Sequence, residues 1–241
     1  MAVVLVTGGT RGIGAACVSW FLANGDQVAT TYRSPEPPEP PVGGDPDRFL
    51  AVRCDVRHPD EVETAFTAVE ERWGPVQVLV ANAGITMDSL MLRMKDQDFL
   101  DVIDANLTGS FRVAKRAVAK MLRQRTGRII FVSSVGAFVG LPGQANYAAS
   151  KAGLVGMARA IAREVGSRHV TVNVVAPGLI DTDMTAALGP ERVAAMTAQI
   201  PLGRAGTAAD VAAVVGFLAS EPAAYVTGAV VPVDGGLGMG L

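Results

Sequence analysis

The chain has 241 residues, of which 49% are apolar and 18% are charged, and its formal net charge is −2. This balance is typical of a globular enzyme and excludes a disordered or fibrous chain, while the near-neutral charge removes the basic excess that nucleic-acid or anionic-membrane binding requires. The length suits one α/β domain, so we expect residues 1–241 to form a single domain.

Short runs rich in Val, Ile and Leu alternate with longer helical patterns along the chain. The runs are continuous rather than alternating in polarity, which favours parallel strands covered on both faces. They predict seven strands, at residues 3–7, 27–32, 49–53, 76–81, 128–133, 170–175 and 229–233. Helices are predicted at residues 13–23, 59–73, 98–125, 147–165 and 207–219. This order predicts a doubly wound, seven-stranded parallel sheet of the Rossmann type, with helices on both faces and right-handed crossovers.

The first predicted strand runs into the glycine-rich segment TGGTRGIG at residues 7–14. Gly8 permits a tight turn, Gly12 lets the main chain approach a diphosphate, and Gly14 lets the following helix pack closely on the strand. The diphosphate then meets the positive N-terminal end of that helix. A glycine-rich turn can also serve backbone geometry alone, but its place between the first strand and a helix favours dinucleotide binding.

The end of the second strand indicates which nicotinamide cofactor is bound. An acidic residue about 20 positions after the glycine-rich turn would bind the ribose 2′-hydroxyl and repel a 2′-phosphate. Residues 27–34 contain no acid, and Tyr32 and Arg33 end the strand instead. Arg33 and Arg11 can pair with a 2′-phosphate, which favours NADP(H), although Arg33 can equally be a solvated surface residue.

The connection at residues 34–48 contains six prolines and two adjacent glycines where a doubly wound fold usually has a helix. We expect a short irregular surface loop there and assign it no function.

The cysteines and histidines do not form a metal-binding pattern. Cys17 and Cys54 match no ligand spacing and are expected to be buried and reduced, and His58 and His169 stand alone near element boundaries. We therefore expect no metal. The sequence begins without a signal-peptide pattern and contains no apolar run of about 18 residues, so we expect a cytoplasmic protein.

Tyr147 and Lys151 lie four residues apart in the small-residue segment QANYAASKAG. On a helix this spacing places both side chains on one face. The pair can be a lysine that extends past a half-buried tyrosine. It can also be catalytic, because a cation roughly 4 Å from a phenol favours the phenolate by up to ~4 kcal/mol, which is as much as about three pKa units. Burial opposes this shift, so we expect a lowered pKa between these limits.

Five motifs together are similar to those of the short-chain dehydrogenase/reductase family. They are the glycine-rich turn, Asn-Ala-Gly at residues 82–84, Asn106, Ser134 and Tyr147-x-x-x-Lys151. Within the family, QANYAASKAG, VNVVAPGLIDTDM at residues 172–184 and VPVDGG at residues 231–236 resemble 3-oxoacyl-[acyl-carrier-protein] reductases, most closely the actinobacterial branch. The likeness extends from Val3 to about Gly240.

The resemblance implies a catalytic tetrad of Asn106, Ser134, Tyr147 and Lys151. In such a tetrad the tyrosine is the proton donor, the serine polarises the substrate oxygen, and the lysine lowers the tyrosine pKa and binds the nicotinamide ribose. Asn106 is implied to lie at a helix irregularity and to hold a water that passes protons to Lys151. The implied reaction is NADPH-dependent reduction of a 3-oxoacyl group on acyl-carrier protein to the 3-hydroxyacyl group in fatty-acid elongation.

The resemblance also implies a set of cofactor contacts. Asp55 is expected at the adenine end, Asn82 beside the adenosine ribose, and Thr182 at the nicotinamide carboxamide. The full expected set is Gly8, Thr10, Arg11, Gly12, Ile13, Gly14, Arg33, Asp55, Val56, Asn82, Ala83, Gly84, Tyr147, Lys151, Pro177, Gly178, Ile180 and Thr182.

Three further expectations concern the surface. Residues 181–199 can form a lid over the substrate, or an ordinary pair of amphipathic helices. Arg125 and Arg168 fall where the resemblance implies docking of the acidic acyl-carrier protein. The apolar segment 235–241 is expected to be buried in a homotetramer, although it can also be a fraying tail.

Two other functions fit the same motifs. A reductase of this family can act on another carbonyl, such as acetoacetyl-CoA, a polyketide, a steroid or a quinone. A regulator can use the fold to sense the dinucleotide without turnover, although such sensors often lack the tyrosine or lysine that this sequence retains.

Overall fold

The computed structural model describes residues 1–41, 44–186 and 189–239. Parts of the predicted proline-rich loop 34–48, the predicted lid 181–199 and the predicted tail 235–241 therefore lie outside the described residues. The strands are β1 (Val3–Val6), β2 (Gln27–Tyr32), β3 (Phe49–Arg53), β4 (Val78–Ala81), β5 (Gly127–Val132), β6 (Val170–Pro177), β7 (Ile180–Asp181), β8 (Gly206–Thr207) and β9 (Val230–Val233).

Seven of these strands form one parallel sheet in the order β3-β2-β1-β4-β5-β6-β9. This confirms the predicted seven-stranded Rossmann-type sheet, and β7 pairs with β8 beside it. Every residue of β1 and β4 is buried, as expected for strands that are covered on both faces. The strand order reverses between β1 and β4, and a crevice opens at such a point at the carboxyl ends of the strands.

The helices are α1 (Gly12–Ala23), α2 (Pro59–Trp73), α3 (Asp96–Ile103), α4 (Gly109–Gln124), α5 (Gly136–Val139), α6 (Ala145–Val165), α7 (Asp183–Ala186), α8 (Pro190–Thr197) and α9 (Ala208–Ala219). Two apolar cores hold the five longest helices to the sheet. Helices α2, α4 and α6 pack on one face, and α1 and α9 pack on the other. The sheet is thus covered on both sides, and only its edges and strand ends are open to a ligand.

The predicted helix at residues 98–125 differs in detail from what is observed. It consists of α3, a π-helical turn (Asp104–Thr108) and α4, and it ends where Arg125 adopts a left-handed conformation with φ of 56°. In the π-helical turn, the Gly109 N–H bonds to the Asp104 carbonyl five residues back. Such turns frequently occur at functional sites.

Cys17 and Cys54 are buried and form no disulfide, as predicted. Burial raises the pKa of each thiol to about 12, so both stay protonated at neutral pH. His58 precedes α2, and its Nδ1 lies 2.8 Å from Glu61 Oε1. Among the described residues, no helix has the length and apolar character needed to cross a membrane.

Candidate active site

A cleft of about 800 Å³ opens at the carboxyl ends of β1, β2 and β4, where the strand order reverses. Its size is in the range of cofactor sites. Most of the predicted cofactor contacts line it, namely Gly8, Thr10, Arg11, Gly12, Ile13, Gly14, Arg33, Asp55, Val56, Asn82, Ala83, Gly84 and Thr182. The sequence argument did not assign the other lining residues, which are Thr31, Tyr32, Ser34, Cys54, Ile85, Thr86, Ala105 and Asp183. Thr31 and Thr86 lie two residues from an assigned position and each of the others is next to one, so nearness in sequence is the signal by which they can be found.

The glycine-rich turn is shaped by close backbone contacts. Gly8 and Gly12 adopt φ of 68° and 53°, which side chains rarely allow. A Cβ on Gly14 would lie 2.3 Å from the Gly8 oxygen and 2.6 Å from Asn82 Nδ2, so only glycine fits there. Asn82 Nδ2 donates to the carbonyls of Thr7 and Gly8, at 3.0 Å each. Asn82 therefore lines the cleft as predicted, and its amide nitrogen holds the turn.

The N-terminal end of α1 is suited to an anion. Within the described part of the chain, no side chain caps this helix, and its first turn contains no acidic residue. Arg11 occupies the capping position in an extended conformation and also lines the cleft. The free N–H groups, the positive end of the helix and a guanidinium fit a diphosphate.

A cluster of charges lies beside the cleft at the end of β2. Asp55 Oδ2 lies 2.6 Å from Arg57 Nη2 and 3.6 Å from Arg33 Nη1. The hydrogen bond from Arg57, with the charge of Arg33 in addition, lowers the pKa of Asp55 to about 2. Two guanidiniums thus oppose one carboxylate, and half of the Arg33 side chain remains exposed, with a relative accessibility of 54%. This balance of charge fits a ligand phosphate at the end of β2.

Lys151 and Tyr147 lie next to each other on α6, directly behind the cleft wall. Lys151 Nζ is 5.7 Å from the centre of the Tyr147 ring and donates a 2.8 Å hydrogen bond to the Val132 carbonyl. A Cβ added to Gly84, which lines the cleft, would lie 3.4 Å from Lys151 Nζ. The absence of a side chain at Gly84 therefore leaves room for the Lys151 ammonium behind the wall.

The pKa of Tyr147 differs from the sequence-based expectation. Burial lowers the pKa of Lys151 to about 8. The pKa of Tyr147 is raised, chiefly because burial disfavours the phenolate, and the charge of Asp88 adds to the rise while a hydrogen bond with Ser134 opposes it. The predicted lowering of the Tyr147 pKa is therefore wrong for this structure. Burial dominates, and the Lys151 ammonium, which donates to the Val132 carbonyl and lies 5.7 Å from the ring centre, does not offset it.

Asn106 lies in the π-helical turn, as the resemblance implied, and is fully buried. Its Oδ1 accepts a 2.8 Å hydrogen bond from the Ile85 N–H, and its Nδ2 donates to the Ile85 carbonyl and to Ser150 Oγ, both at 3.0 Å. Ser150 Oγ donates in turn to the Tyr147 carbonyl. Asn106 thus joins the loop after β4 to α6. Its predicted role in holding a water stays a prediction.

Some predicted residues lie outside the cleft wall. Pro177 ends β6, Gly178 follows it, and the side chain of Ile180 is buried in the core. Arg125 and Arg168 lie at the carboxyl-terminal ends of α4 and α6, near the start of β5 and β6. They are therefore at the opposite edge of the sheet from the cleft, and the structure does not bring them to the site.

A family model described as Enoyl-(Acyl carrier protein) reductase matches residues 8–238. The 3-oxoacyl-[acyl-carrier-protein] reductase MabA of Mycobacterium tuberculosis is 56% identical over 238 residues, which cover 98% of this chain and 93% of that protein. The corresponding protein of Mycobacterium avium is 53% identical, with 98% and 90% covered.

A more distant relative is the 3-oxoacyl-[acyl-carrier-protein] reductase FabG of Escherichia coli, which is 44% identical over 98% of this chain and 97% of that protein. The name of the family model specifies reduction of a carbon–carbon double bond. The names of these relatives specify reduction of a ketone. The comparisons therefore agree on a reductase of acyl-carrier-protein thioesters and differ in the group that is reduced.

Proposed function

The chain belongs to the short-chain dehydrogenase/reductase family, and on this premise we propose that it is an NADPH-dependent 3-oxoacyl-[acyl-carrier-protein] reductase of fatty-acid elongation. The observation that carries the proposal is that Tyr147 contacts both Ser134 and Lys151 directly behind the wall of a cleft whose other parts suit a dinucleotide phosphate. The names of the relatives favour the ketone over the carbon–carbon double bond.

The proposed cofactor contacts follow the cleft from end to end. The turn at Gly8, Gly12 and Gly14 and the N-terminal end of α1 would hold the diphosphate. Arg11 and Arg33 would pair with the 2′-phosphate, which supports NADPH over NADH. When bound, the nicotinamide supplies the hydride for the reduction.

The chain's own residues supply the proton and the polar environment for the ketone oxygen. Ser134 would donate a hydrogen bond to this oxygen, which gains negative charge as the ketone is reduced. The Tyr147 O–H would transfer its proton to the same oxygen and complete the hydroxyl group. A raised pKa keeps Tyr147 protonated before that transfer. Lys151 would stabilise the phenolate that remains, because its pKa of about 8 leaves it mostly protonated at neutral pH.

An acyl-carrier protein is the proposed carrier of the substrate, with Arg125 and Arg168 as its docking residues. Because α6 has 21 residues and is about 30 Å long, Arg168 is far from Tyr147 of the same chain. A carrier bound at these arginines would therefore serve the cleft of a neighbouring subunit. This position links the docking proposal to the proposed homotetramer.

The exposed apolar residues support an assembly of several subunits. Phe217, Tyr225 and Met239 near the carboxyl-terminal part of the chain are at least half exposed, with relative accessibilities of 50%, 103% and 78%. Exposed apolar surface is commonly covered by another chain. We propose that it is covered in a homotetramer of a cytoplasmic enzyme.

The proposed lid is residues 181–199. Within its described part, α8 buries none of its residues, while Thr182 and Asp183 line the cleft. A segment that is anchored at the cleft and loosely packed beyond it can open and close.

The test is NADPH oxidation with an acetoacetyl thioester, compared with a crotonoyl thioester, steroids and quinones. Turnover of acetoacetyl thioester alone supports the proposal. Turnover of only the other carbonyls would identify a different reductase of the family, and turnover of crotonoyl thioester would identify an enoyl reductase. Tight binding of NADPH without turnover of any compound would identify a dinucleotide sensor.

A further inference from the structure

A second buried asparagine, Asn146, immediately precedes the proposed proton donor. Its side chain is fully buried. Its Nδ2 donates to the Met87 carbonyl at 2.9 Å and to the Asp98 carbonyl at 3.4 Å, and its Oδ1 accepts a 2.8 Å hydrogen bond from the Tyr147 N–H. All of its polar atoms therefore bind the main chain, and none is free for a substrate.

These bonds meet a need at the start of α6. The first N–H groups of a helix have no partner within the helix, and Gln144 at the capping position provides no side-chain cap. The Oδ1 of Asn146 satisfies the Tyr147 N–H instead. The main chain of Tyr147 is thus fixed by the same amide group that binds Met87 and Asp98.

Two more hydrogen bonds join the same segments on the exposed side. Ser89 N–H donates to the Gly143 carbonyl at 2.9 Å, and Gln144 Nε2 donates to Asp88 Oδ2 at 2.8 Å. We call this set of contacts, between residues 87–89 and residues 143–147, the latch. Asn146 forms its buried part.

The latch connects Tyr147 to the cleft through one loop. The loop that follows β4 lines the cleft at residues 82–86, is held by Asn106 at Ile85, and is held by Asn146 at Met87. Two buried amides therefore hold this loop to α3, the π-helical turn and α6, one at Ile85 in the cleft wall and the other at Met87 just beyond the wall. A shift of this loop would change the distance between the phenol and a ligand in the cleft.

We propose that Asn146 is a positioning residue that sets the place of the Tyr147 phenol relative to the cleft wall. This rests on the proposed function, in which Tyr147 is the proton donor. A displacement of about 1 Å at a reacting group can lower a rate by about 100-fold, so the effect should appear in kcat. Because Asn146 touches no part of the cofactor cleft, the dissociation constant for NADPH should change little.

The test compares Asn146→Ser with Asn173→Ser. Asn173 is an equally buried asparagine in β6, and its amide binds the Val226 carbonyl at 2.8 Å and the Ala229 N–H at 3.1 Å. Both substitutions remove a buried amide, and each should lower the melting temperature by roughly 2–10 °C. Only Asn146→Ser should lower kcat per NADPH-binding site, by about 10-fold to 100-fold. Both variants should bind NADPH within about threefold of the parent.

A spectroscopic signal makes the test independent of turnover. The chain has three tyrosines, so the ring-carbon resonance of Tyr147 can be identified in ¹³C-tyrosine spectra from its absence in Tyr147→Phe. Asn146→Ser should shift this resonance, and Asn173→Ser should leave it unchanged. If Asn146→Ser does not fold, Gln144→Met is tested in its place. This surface substitution breaks the exposed hydrogen bond of the latch. It should shift the Tyr147 resonance and leave the NADPH affinity unaltered.

The two proposals fail in different ways. A parent enzyme that oxidises no NADPH with any thioester would contradict the proposed function, and the resonance would still report on the latch. A parent-like kcat and an unshifted Tyr147 resonance in the tested latch variant would overturn the positioning role alone. An equal loss of kcat in Asn173→Ser would overturn it as well, because the loss would then follow from stability.

Discussion

The two ends of the cleft are built in different ways. The phosphate end consists mainly of main chain, with glycines at positions 8, 12 and 14, the first turn of α1, and an arginine at its start. The Tyr147 end consists of buried polar side chains whose hydrogen bonds join the π-helical turn, α6 and the end of β5. Binding at the phosphate end depends on the absence of side chains at the glycines, because a Cβ there would fill space that the turn needs. At the Tyr147 end, the pKa values of the side chains depend on burial. Mutations should therefore affect binding at one end and turnover at the other.

The largest effect is expected from Tyr147→Phe, which retains the ring and removes the proton. We expect kcat to fall about 1000-fold, or ~4 kcal/mol, because proton transfer contributes about 10² to 10⁴ to such rates. NADPH affinity, measured by fluorescence titration, should stay within about threefold of the parent. A variant that reduces acetoacetyl thioester at the parental rate would show that Tyr147 is not the donor.

At the phosphate end, Gly14→Val should weaken NADPH binding, whereas Tyr147→Phe should lower kcat. Its Cβ would collide with the Gly8 oxygen at 2.3 Å and with Asn82 Nδ2 at 2.6 Å, so the turn must open. We expect the NADPH dissociation constant to rise about 100-fold, or ~2.7 kcal/mol. Gly166→Ala is the control, because nothing lies within 4 Å of its Cβ position. Parental NADPH affinity in Gly14→Val would contradict the assigned diphosphate site.

The pH dependence of stability tests the burial of Lys151. Its pKa is about 8 when folded and about 10.4 in an unfolded chain, so the unfolded state binds more protons between these values. Stability from this group therefore rises with pH across that window. The difference in unfolding free energy between the parent and Lys151→Met should rise by about 2 kcal/mol from pH 8 to pH 10, measured by urea titration. A constant or falling difference would show that Lys151 is not desolvated.

A smaller effect is expected from Arg33→Ala at the adenosine end. Loss of one charge-assisted contact to a 2′-phosphate should raise the NADPH dissociation constant about 10-fold, or ~1.4 kcal/mol. NADH affinity should not change, and Arg72→Ala, which alters an exposed residue of α2, serves as the control. Equal losses for both cofactors would mean that Arg33 does not distinguish them.

The smallest effect is expected from Arg125→Glu combined with Arg168→Glu. Because docking charges are exposed, we expect a loss of about fivefold in kcat/KM for the carrier-bound substrate at low salt. Activity with acetoacetyl-CoA should be unchanged, since that substrate does not need docking. A similar loss for both substrates would contradict the docking assignment.

The same physical difference explains how much of each end of the cleft can be predicted from the sequence. A tight turn leaves a direct trace as glycine, so the glycine-rich turn and the parallel strands were predicted correctly from their residues. The irregularity at Asn106 was implied only by the resemblance, because a π-helical turn has no clear signature in residue order. The direction of the Tyr147 pKa shift was predicted wrongly, because the spacing to Lys151 does not show that the ammonium binds the Val132 carbonyl.

Surface features were the least predictable from the sequence. Arg125 and Arg168 were assigned to docking by resemblance, and their place at the far edge of the sheet depends on the lengths of α4 and α6. The short helix α5 was not predicted, since it has four residues and little apolar pattern, whereas α7 and α8 lie in the segment 181–199, for which a pair of helices was the alternative to a lid.

The most direct test of the account is the pH titration of the Tyr147 ring carbon by ¹³C NMR in protein without added NADPH. The account requires a donor that holds its proton at neutral pH, and burial raises its pKa. We therefore predict that Tyr147 titrates above the value of about 10 for a free tyrosine. Titration below pH 8 would contradict the account, because the proposed donor would then lack its proton through much of the range in which reduction must occur.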